Sequence, residues 1–513
     1  MDGVRLVEDA DTEPPSDEIE KTNATTVRHS IHSTGSHRVH AATPINRFLP
    51  DDLLALIFRT CVDTGIADSQ VNHSVKQKVT HPGKPDTRLS PWVLAQVCRR
   101  WRHLALELSQ LWNAVDVSRR DRDESPNSPL GELVSLQLKR ARDQPISVRY
   151  NEGDLLKRSR PVHDLSVLVI LLSRSSQWST ARISIRISGL LRLSSQYVGS
   201  FNLLTTLHLH LLSENLPEGD LGSIVKVFRS TPKLRSLTTT GFVIILHHVA
   251  LDLPFEQIVD FTSKDYDTTP VLLSYHGHYH LLQQMPNLET CMIDTPCSFG
   301  AHDLPPSVVT HLTLDRLHTL VLRNFLHGSP HIDAILDWFT LPLLRVLRFP
   351  SGFDSPAALI ELLERSECSL EELYLKFGHV HEGTLFQLFN APCIQNLRVL
   401  SIGSYRWGHG TVDDDIFRPL TLVKPPSVMV CRLPKLRALE LYDCGAWSIE
   451  SMLGMVESRC DTKNIFPGTV EKLERLTIGS SGMKVSLNQE ETRRIKRMRN
   501  GGMVFEWNET PGS

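Results

Sequence analysis

The sequence predicts an α/β fold: a small all-α module followed by an irregular solenoid, or horseshoe, of short parallel strands and helices. Three observations support the solenoid. A strand-like apolar unit recurs about every 30 residues from residue 204 onward, prolines precede several of the units, and helical stripes separate them. In such an array neighbouring repeats bury each other's apolar faces, and the strands line one concave wall.

The repeated unit is an apolar residue, two other residues, an apolar residue, one other residue and a last apolar residue. This alternation is typical of a strand whose apolar side chains face one way. Two units are weak, because their last positions are Thr239 and Ser263. The ten units begin at Leu204, Leu234, Ile258, Leu288, Leu317, Leu344, Leu370, Leu397, Leu436 and Leu473.

Prolines and helical stripes mark the borders of these units. Pro232, Pro286, Pro342 and Pro434 each stand two residues before a unit, and proline belongs where a strand begins because it cannot donate to the sheet ladder. Between units, four groups of apolar residues have the spacing of one buried helix face. They are Leu221/Ile224/Val225/Phe228, Ile332/Ile335/Leu336/Phe339, Leu359/Leu362/Leu363 and Ile449/Met452/Leu453/Val456.

Composition limits the classes of function. The chain has 513 residues, a formal charge of −3, 41% hydrophobic and 22% charged residues, which excludes wholesale disorder. It lacks the basic excess typical of nucleic-acid binding, and its longest apolar runs fall far short of the ~20 residues that span a bilayer. Nine cysteines without a C-x-x-C pair favour a reducing compartment. We expect a cytoplasmic and/or nuclear protein that binds neither nucleic acid nor membrane.

Shifts in composition predict four segments. Residues 1–43 open with an acidic stretch and stay polar and rich in Ser, Thr and His, so we expect a disordered tail. Residues 44–117 form the helical module, with a polar loop at about 63–90. Residues 118–199 hold early irregular repeats, with helices over 130–142 and 165–172 and strands over 146–150 and 183–187. The array fills 200–513 and ends in a basic helix and a capping strand within 492–506.

The helical module carries more apolar surface than its short helices can bury alone. Its first helix begins near Pro50 and has apolar residues at helical spacing from Leu49 to Phe58. A second helix runs from about Pro91, with one apolar stripe. The stripe contains Leu94, Val97, Cys98, Trp101, Leu104, Ala105 and Leu108. Such density is typical of a module that packs against a partner.

Residues 44–113 resemble an F-box. The run Leu-Pro-Asp-Asp-Leu-Leu-Ala-Leu-Ile-Phe at 49–58 is similar to the pattern Leu-Pro-x-acid-Leu-Leu-x-x-Ile-Phe that opens that family. Val-Cys-Arg-Arg-Trp-Arg at 97–102 and Leu-Trp at 111–112 match its second half. The whole chain is similar to fungal F-box proteins with degenerate leucine-rich repeats. The asparagine that ends a standard repeat strand is mostly absent, and Cys444 takes its place in one repeat.

The resemblance implies a division of labour. The F-box would bind a Skp-family adaptor and thereby a cullin-based ubiquitin ligase (SCF type), while the solenoid would bind an unknown protein substrate. The alternatives are a repeat scaffold that acts outside ubiquitin transfer, or apolar residues that only dock the module onto the solenoid. By match to the family motif, the residues implied to contact the adaptor are Leu49, Pro50, Leu53, Leu54, Ile57, Val97, Trp101, Leu104 and Trp112.

We predict a non-catalytic protein without a cofactor or a metal. The sequence has no P-loop, zincin or nucleophile-elbow motif. His276, His278 and His280 would share one face of an extended segment, and imidazoles suit zinc or copper, but we favour a solvated loop. For Cys291 and Cys297 we favour buried thiols. The basic residues at 493–499 favour a charged helix end over a nuclear address.

Residues between and just after the last two apolar positions of each unit point away from the core. Their central column is His208, Thr238, Thr262, Met292, Val321, Arg348, Tyr374, Ser401, Glu440 and Thr477. Arg323, Arg348, Tyr374 and Lys376 would form a basic patch with one aromatic residue, a candidate substrate site for an acidic or phosphorylated segment. The alternative is that these charges only keep the surface soluble.

Overall fold

The structure is a computed structural model. It describes residues 49–71, 91–118, 129–152, 165–212, 223–241, 249–264, 275–297, 311–325, 335–353, 356–377, 384–404, 414–422, 432–442, 448–460, 470–480 and 487–509. The chain divides into two compact units, Met1–Leu54 and Ala55–Ser513. Of the first unit, residues 49–54 are described. The predicted tail over 1–43 and the predicted loop from residue 72 onward lie outside the described residues.

Strands are found along most of the described chain. In chain order they are β1 (Ala114–Ser118), β2 (Ile146–Asn151), β3 (Trp178–Arg186), β4 (Thr206–Leu212), β5 (Ser223–Val225), β6 (Ser236–Thr240), β7 (Val249–Leu251), β8 (Asp260–Lys264), β9 (Thr290–Cys297), β10 (Leu312–Thr313), β11 (Thr319–Phe325), β12 (Phe339–Thr340), β13 (Val346–Phe353), β14 (Glu372–Phe377), β15 (Val399–Ser404), β16 (Ala438–Tyr442), β17 (Arg475–Ser480) and β18 (Val504–Glu509).

Helices separate many of these strands. They are α1 (Asp51–Val71), α2 (Pro91–Val97), α3 (Arg99–Glu107), α4 (Leu130–Ala141), α5 (Ser166–Leu172), α6 (Ile187–Gln196), α7 (Tyr275–Gln283), α8 (Pro356–Ser366), α9 (Thr384–Asn390), α10 (Ile449–Cys460) and α11 (Gln489–Asn500). Among the helices that the structure describes, none is both long and apolar enough to cross a lipid bilayer.

One 14-stranded sheet organises the molecule, in the order β1-β2-β3-β4-β6-β8-β9-β11-β13-β14-β15-β16-β17-β18. Its strands pair in parallel, as β4 with β6 and β16 with β17 show. The ten repeat units of the sequence coincide, in order, with ten of these strands, from β4 to β17. The predicted array of short parallel strands is therefore confirmed, and the predicted terminal helix and strand correspond to α11 and β18.

The core of the sheet is a continuous row of inward-facing residues, one from each strand. Leu207 lies in register with Leu237, and the row continues through every later strand pair to Phe505. The buried members are Val115, Val148, Ala181, Leu207, Leu237, Phe261, Cys291, Leu320, Leu347, Leu373, Leu400, Leu439, Leu476 and Phe505. Since successive side chains of a strand alternate, the residues beside this row point to the opposite face, called here the outer face.

The sheet begins earlier in the chain than the clear repeats. β1, β2, β3 and β4 pair in succession, so the irregular segment over 118–199 continues the same sheet, with α4 and α5 where helices are expected. β3 begins at Trp178, five residues before the predicted strand. β1 lies inside the range predicted for the helical module except for its last residue, Ser118. It was not predicted, because Val115 and Val117 alternate over too few residues to signal a strand.

Two predictions for the N-terminal helices were wrong. α1 continues to Val71, so residues 63–71 are helical and not part of a loop; the single Gly65 costs a helix only about 1 kcal/mol, too little to end it. The second helix is two helices, α2 and α3. Between them Cys98 has an extended backbone, and its Sγ accepts a hydrogen bond from the Trp101 amide, which caps α3.

The segments between strands were predicted correctly in part. The stripe at Leu359 lies in α8 and the stripe at Met452 lies in α10, with both residues fully buried. In contrast, Ile224 lies in β5, which pairs with β7, and Phe339 lies in β12, which pairs with β10. Strands of two or three residues leave no period that distinguishes them from one turn of helix. Leu221 and Ile332 lie outside the described residues.

Candidate partner-binding surfaces

Aromatic residues hold the N-terminal helices α1 and α3 together. Phe58 of α1 is fully buried and packs on Trp101 of α3, with ring centroids 4.8 Å apart. Trp112 follows α3 and is also fully buried, and its indole Nε1 donates a hydrogen bond of 2.7 Å to the carbonyl of Ala105. A tryptophan buried with its N–H paired adds a large apolar area without an unsatisfied donor. These contacts give α1 and α3 a core of their own.

Trp112 also attaches this module to the sheet array. The guanidinium of Arg140 in α4 lies 4.4 Å from the Trp112 ring centroid and 4.6 Å from that of Trp92. Gln137 of α4 donates a hydrogen bond of 2.7 Å to the carbonyl of Ala114, where β1 begins. Cation–π contacts that are partly desolvated contribute about 1–2 kcal/mol each. Trp112 therefore serves the docking of the module onto the array.

The nine residues implied to contact an adaptor differ in their exposure. Pro50, Leu53, Ile57 and Val97 are exposed, Leu49, Trp101 and Leu104 are half-buried, and Leu54 and Trp112 are buried. With 1% and 0% of their surfaces exposed, Leu54 and Trp112 have no surface to offer a partner. This corrects the expectation that those two contact an adaptor directly.

Four large apolar side chains of α1 and α2 are exposed to water. In the first compact unit this is Leu53, at 45%; in the second unit these are Leu56, Ile57 and Val97, at 58%, 41% and 52%. Leu56 was not predicted, because the F-box pattern leaves its position open. Covering such a side chain contributes about 1.5–3 kcal/mol. Each of the four residues, which are together called here the exposed apolar group, is by itself a candidate for a protein contact.

The predicted column of outward-pointing residues exists in the sheet. Register partners place His208 beside Thr238 and Arg348 beside Tyr374. The column is longer than predicted, because Asp116, Arg149 and Arg182 precede His208 on β1, β2 and β3, and Glu506 follows on β18. The outer face thus presents one polar residue from nearly every strand.

The predicted substrate patch is only partly a basic surface. Arg348 forms an ion pair with Glu372, Nη2 to Oε2, at 3.1 Å, and its guanidinium lies 4.2 Å from the centroid of the Tyr374 ring. The Tyr374 hydroxyl donates to the same carboxylate at 3.2 Å. Burial, followed by the negative charge of Glu372, raises the pKa of Tyr374 to about 12. Arg348 and Tyr374 therefore meet, but around a carboxylate that offsets the positive charge.

The other two predicted substrate residues lie two residues further along their strands than the row that holds this pair. Lys376 follows Tyr374 on β14, two residues further along the strand, with its register partner Gly403 on β15. Arg323 lies on β11 in register with Asp294. The pairing of β13 with β14 shifts register between Phe349 and Phe353, which interrupts the row that would connect Arg323 with Lys376.

A second group of basic residues, which the sequence prediction did not recognise as a group, lies at the other end of the outer face. Arg149 of β2, Arg182 of β3 and His208 of β4 are successive register partners, and the charge of Lys264 on β8 reaches His208. We call these four residues the basic cluster. Extending the column backwards through 146–150 and 178–186 would have found it, but those strands lack the leucine pattern.

The prediction of a loop for the three alternating histidines was wrong, because they lie in helix α7. Residues two apart on a helix point in different directions, so the shared face expected for an extended segment does not form. His278 is buried, and its Nε2 is 3.1 Å from the Ser263 hydroxyl, while His280 is exposed. Within the described ranges no cluster of His, Cys, Asp and Glu could hold a metal ion.

The prediction of a buried thiol is confirmed for Cys291. It belongs to the inward row of the sheet, and burial raises its pKa to about 12. The side chain of Cys297 lies outside the described residues. A protonated, covered thiol packs as a small apolar group.

The basic C-terminal helix is partly used inside the fold. Arg494 of α11 forms ion pairs with Glu450 and Glu457 of α10, at 2.5 and 2.8 Å, and only 13% of its side chain is exposed. Arg499 donates a hydrogen bond of 2.8 Å to the Phe505 carbonyl of β18. These contacts support the interpretation as a structural helix end.

Comparisons with known proteins add little to this description. No family model matches the chain, and no curated protein matches it. A crystal structure of a protein from Bacteroides fragilis is similar over 75% of this chain and 82% of that chain, with 12% identity and a TM-score of 0.29. A TM-score of this size carries no argument, so the description of the fold rests on the strand pairing of the chain itself.

Proposed function

We propose that this protein is the substrate-recognition subunit of an SCF-type ubiquitin ligase. Helices α1–α3 would bind a Skp-family adaptor, and the outer face of the sheet would bind a protein substrate. The protein would act without catalytic chemistry of its own, by holding the substrate near a ubiquitin-conjugating enzyme and raising its effective concentration.

The exposed apolar group is the observation that carries this proposal. The aromatic residues of the module are packed internally or against α4, whereas Leu53, Ile57 and Val97 remain exposed. These three occupy positions of the F-box-like motif that the resemblance assigns to adaptor contact. Apolar side chains from helices fit a partner that presents a helical groove.

Capture of a purified Skp-family adaptor tests the proposal. We expect the combined variant Leu53→Ala, Ile57→Ala and Val97→Ala to lose adaptor binding at least tenfold, because about 1.4 kcal/mol of lost contact energy is one factor of ten. Since these side chains are exposed, the variant should keep its circular dichroism spectrum and its unfolding temperature.

The chain offers a matched control in the sheet array. Leu343, Ile224 and Val504 have the same side chains and are 46%, 50% and 49% exposed. Their replacement by alanine should leave adaptor capture unchanged. If the wild type and the folded variant with Leu53, Ile57 and Val97 replaced captured the adaptor equally well, the adaptor assignment would be refuted.

The same preparation distinguishes a ligase subunit from a scaffold that acts outside ubiquitin transfer. Adaptor-bound protein is mixed with a cullin–RING complex and the proteins that co-purify with the chain from cells, and ubiquitin transfer to those proteins is measured. Adaptor binding without any transfer would favour the scaffold.

A further inference from the structure

The basic cluster is crowded with positive charge. Arg149 and Arg182 leave neighbouring strands in register, and parallel strands lie about 4.8 Å apart. His208 follows Arg182 on the next strand at the same spacing. All of these side chains are half-buried, so water screens their charges less than on an open surface.

Electrostatics show that the field at this position is positive. Burial, followed by the charges of Arg182 and Lys264, lowers the pKa of His208 to about 4. Burial and the charge of Arg149 lower the pKa of Arg182. His208 is therefore neutral at pH 7, and it can donate one ring N–H or accept one hydrogen bond.

The carboxylates near the basic cluster do not neutralise the charge of Arg182, which lies at its centre. Asp116 pairs with Arg149 at 3.5 Å with half of its own side chain exposed, and Asp294 lies in register with Lys264. Arg182 lies between them, and its side chain has neither an ion pair nor a hydrogen bond to any residue that the structure describes. Folding thus places a partly desolvated arginine next to another cation without a counter-charge of its own.

We propose that the basic cluster binds a phosphorylated segment of a protein partner, with Arg182 as the central phosphate ligand. The planar guanidinium donates two parallel hydrogen bonds to phosphate oxygens. A phosphoryl group carries about −1.5 to −2 charge at pH 7, which matches a site where several cations converge. The proposal rests on the proposed function only in naming this segment as the substrate.

The rest of the outer face favours a short anionic segment over a long polyanion. Towards its other end the face presents Glu372, Glu440 and Glu506, and these carboxylates would repel a nucleic-acid backbone that continued along the strands. A peptide with one phosphate avoids that repulsion, because its remaining residues can be neutral or basic. Charge complementarity along the face therefore selects a phosphopeptide.

Retention of a phosphoserine peptide pool with randomised flanks on the immobilised full chain tests this proposal. We expect phosphatase treatment of the pool, and separately the substitution Arg182→Gln, to lower retention at least tenfold. Lys264→Gln is a second test, further from the centre of the cluster, and should lower retention about threefold. Arg348→Gln is the matched control, because Arg348 is already paired with Glu372, and its retention should stay within twofold of wild type.

The unfolding temperature of each variant shows whether a loss of retention comes from lost binding or from lost folding. Arg182→Gln removes a repulsion, so its unfolding temperature should equal or exceed that of the wild type while binding falls. Equal retention of treated and untreated pools, or retention unaffected by Arg182→Gln, would overturn the proposal. So would displacement of the peptides by a single-stranded oligonucleotide that binds through Arg182. The alanine variant of Leu53, Ile57 and Val97 should still retain the pool, so failure of the adaptor assignment is seen independently.

Discussion

His278 couples the core of the sheet array to pH. Its Nε2 meets the hydroxyl of Ser263, and Ser263 occupies an inward position that is apolar in stronger repeat units. The buried imidazole therefore satisfies a polar group that a weak repeat leaves in the core. Burial lowers the pKa of His278 to about 4, against 6.5 in an unfolded chain.

This shift predicts acid sensitivity. As pH falls from about 6.5 to 4 the unfolded chain takes up a proton that folded His278 does not, so stability falls through that window and this effect is complete below it. Between pH 7 and pH 5 the contribution is about 2 kcal/mol. Urea unfolding at both pH values measures the loss of unfolding free energy between pH 7 and pH 5. In the variant His278→Gln this loss should be smaller than in the wild type by about 2 kcal/mol.

The neighbouring His280 supplies the control for this prediction. It lies on the same helix but is exposed, so His280→Gln should keep the pH dependence of the wild type. An unchanged dependence in the folded His278→Gln variant would show that other groups cause the acid sensitivity.

The predicted substrate patch around Arg348 shows which residue contacts could not be predicted from the sequence. The positions of Arg348 and Tyr374 on the outer face followed from alternation alone. Their neutralisation by Glu372 did not, because Glu372 stands at the start of β14 and reaches Arg348 only through the register of two strands. The basic cluster was missed because β2 and β3, which hold Arg149 and Arg182, contain no leucine.

At the scale of elements, Arg459 fastens helix α10 to two preceding segments. The residue is fully buried, and its guanidinium donates hydrogen bonds of 2.6, 3.1 and 2.7 Å to the carbonyls of Leu420, Leu433 and Arg432. Leu420 ends the short 3₁₀ helix Arg418–Leu420, and Arg432 and Leu433 lie shortly before β16. One side chain thus donates to three backbone acceptors, of which the Leu433 carbonyl also accepts a hydrogen bond of 3.2 Å from the Leu436 amide.

Replacing Arg459 should therefore be costly. We expect Arg459→Met, which keeps the length of the side chain, to lower the free energy of unfolding by at least about 3 kcal/mol, because buried acceptors lose charged donors. Arg459→Lys should fall between this variant and the wild type. Chemical denaturation measures both variants.

An arginine on the next helix provides the comparison for Arg459. Arg497 of α11 is exposed, and Arg497→Met should change stability by less than about 0.5 kcal/mol. A similarly small loss in Arg459→Met would mean that water replaces the guanidinium at the three carbonyls.

The elements predicted best are those with a repeated signal. Ten strands followed from leucine spacing, and α8 and α10 from stripes long enough to show a helical period. The break at Cys98 was hidden because the stripe continues through it, and only the hydrogen bond of its Sγ to the Trp101 amide reveals the cap. β5 and β12 were missed because they are too short to show a period.

For the whole molecule, the order of strands predicts how stability is distributed. Each inner strand of the large sheet pairs with two neighbours, each edge strand pairs with one, and the sequence of pairs follows the chain. In such an array stability is approximately a sum of repeat and nearest-neighbour terms. Damage to one repeat should therefore spread to its neighbours and fade along the sheet.

Leu373 of β14 allows this expectation to be measured. It is fully buried and lies in register with Leu347 of β13 and Leu400 of β15. Leu373→Ala should cost about 2–5 kcal/mol locally, through lost burial and a cavity. Amide hydrogen exchange followed by mass spectrometry should then accelerate most in β13–β15 and least in β2–β4.

A substitution on the outer face of the same strand shows whether the loss of core packing, and not merely any substitution in β14, causes the faster exchange. Tyr374 is half-buried beside Leu373 but points away from the inward row, so Tyr374→Ala should accelerate exchange far less. If Leu373→Ala instead raised exchange equally from β2 to β18, the sheet would unfold as one cooperative unit. Binding of a partner at one end would then stabilise the other end as well, a coupling that the nearest-neighbour description does not allow.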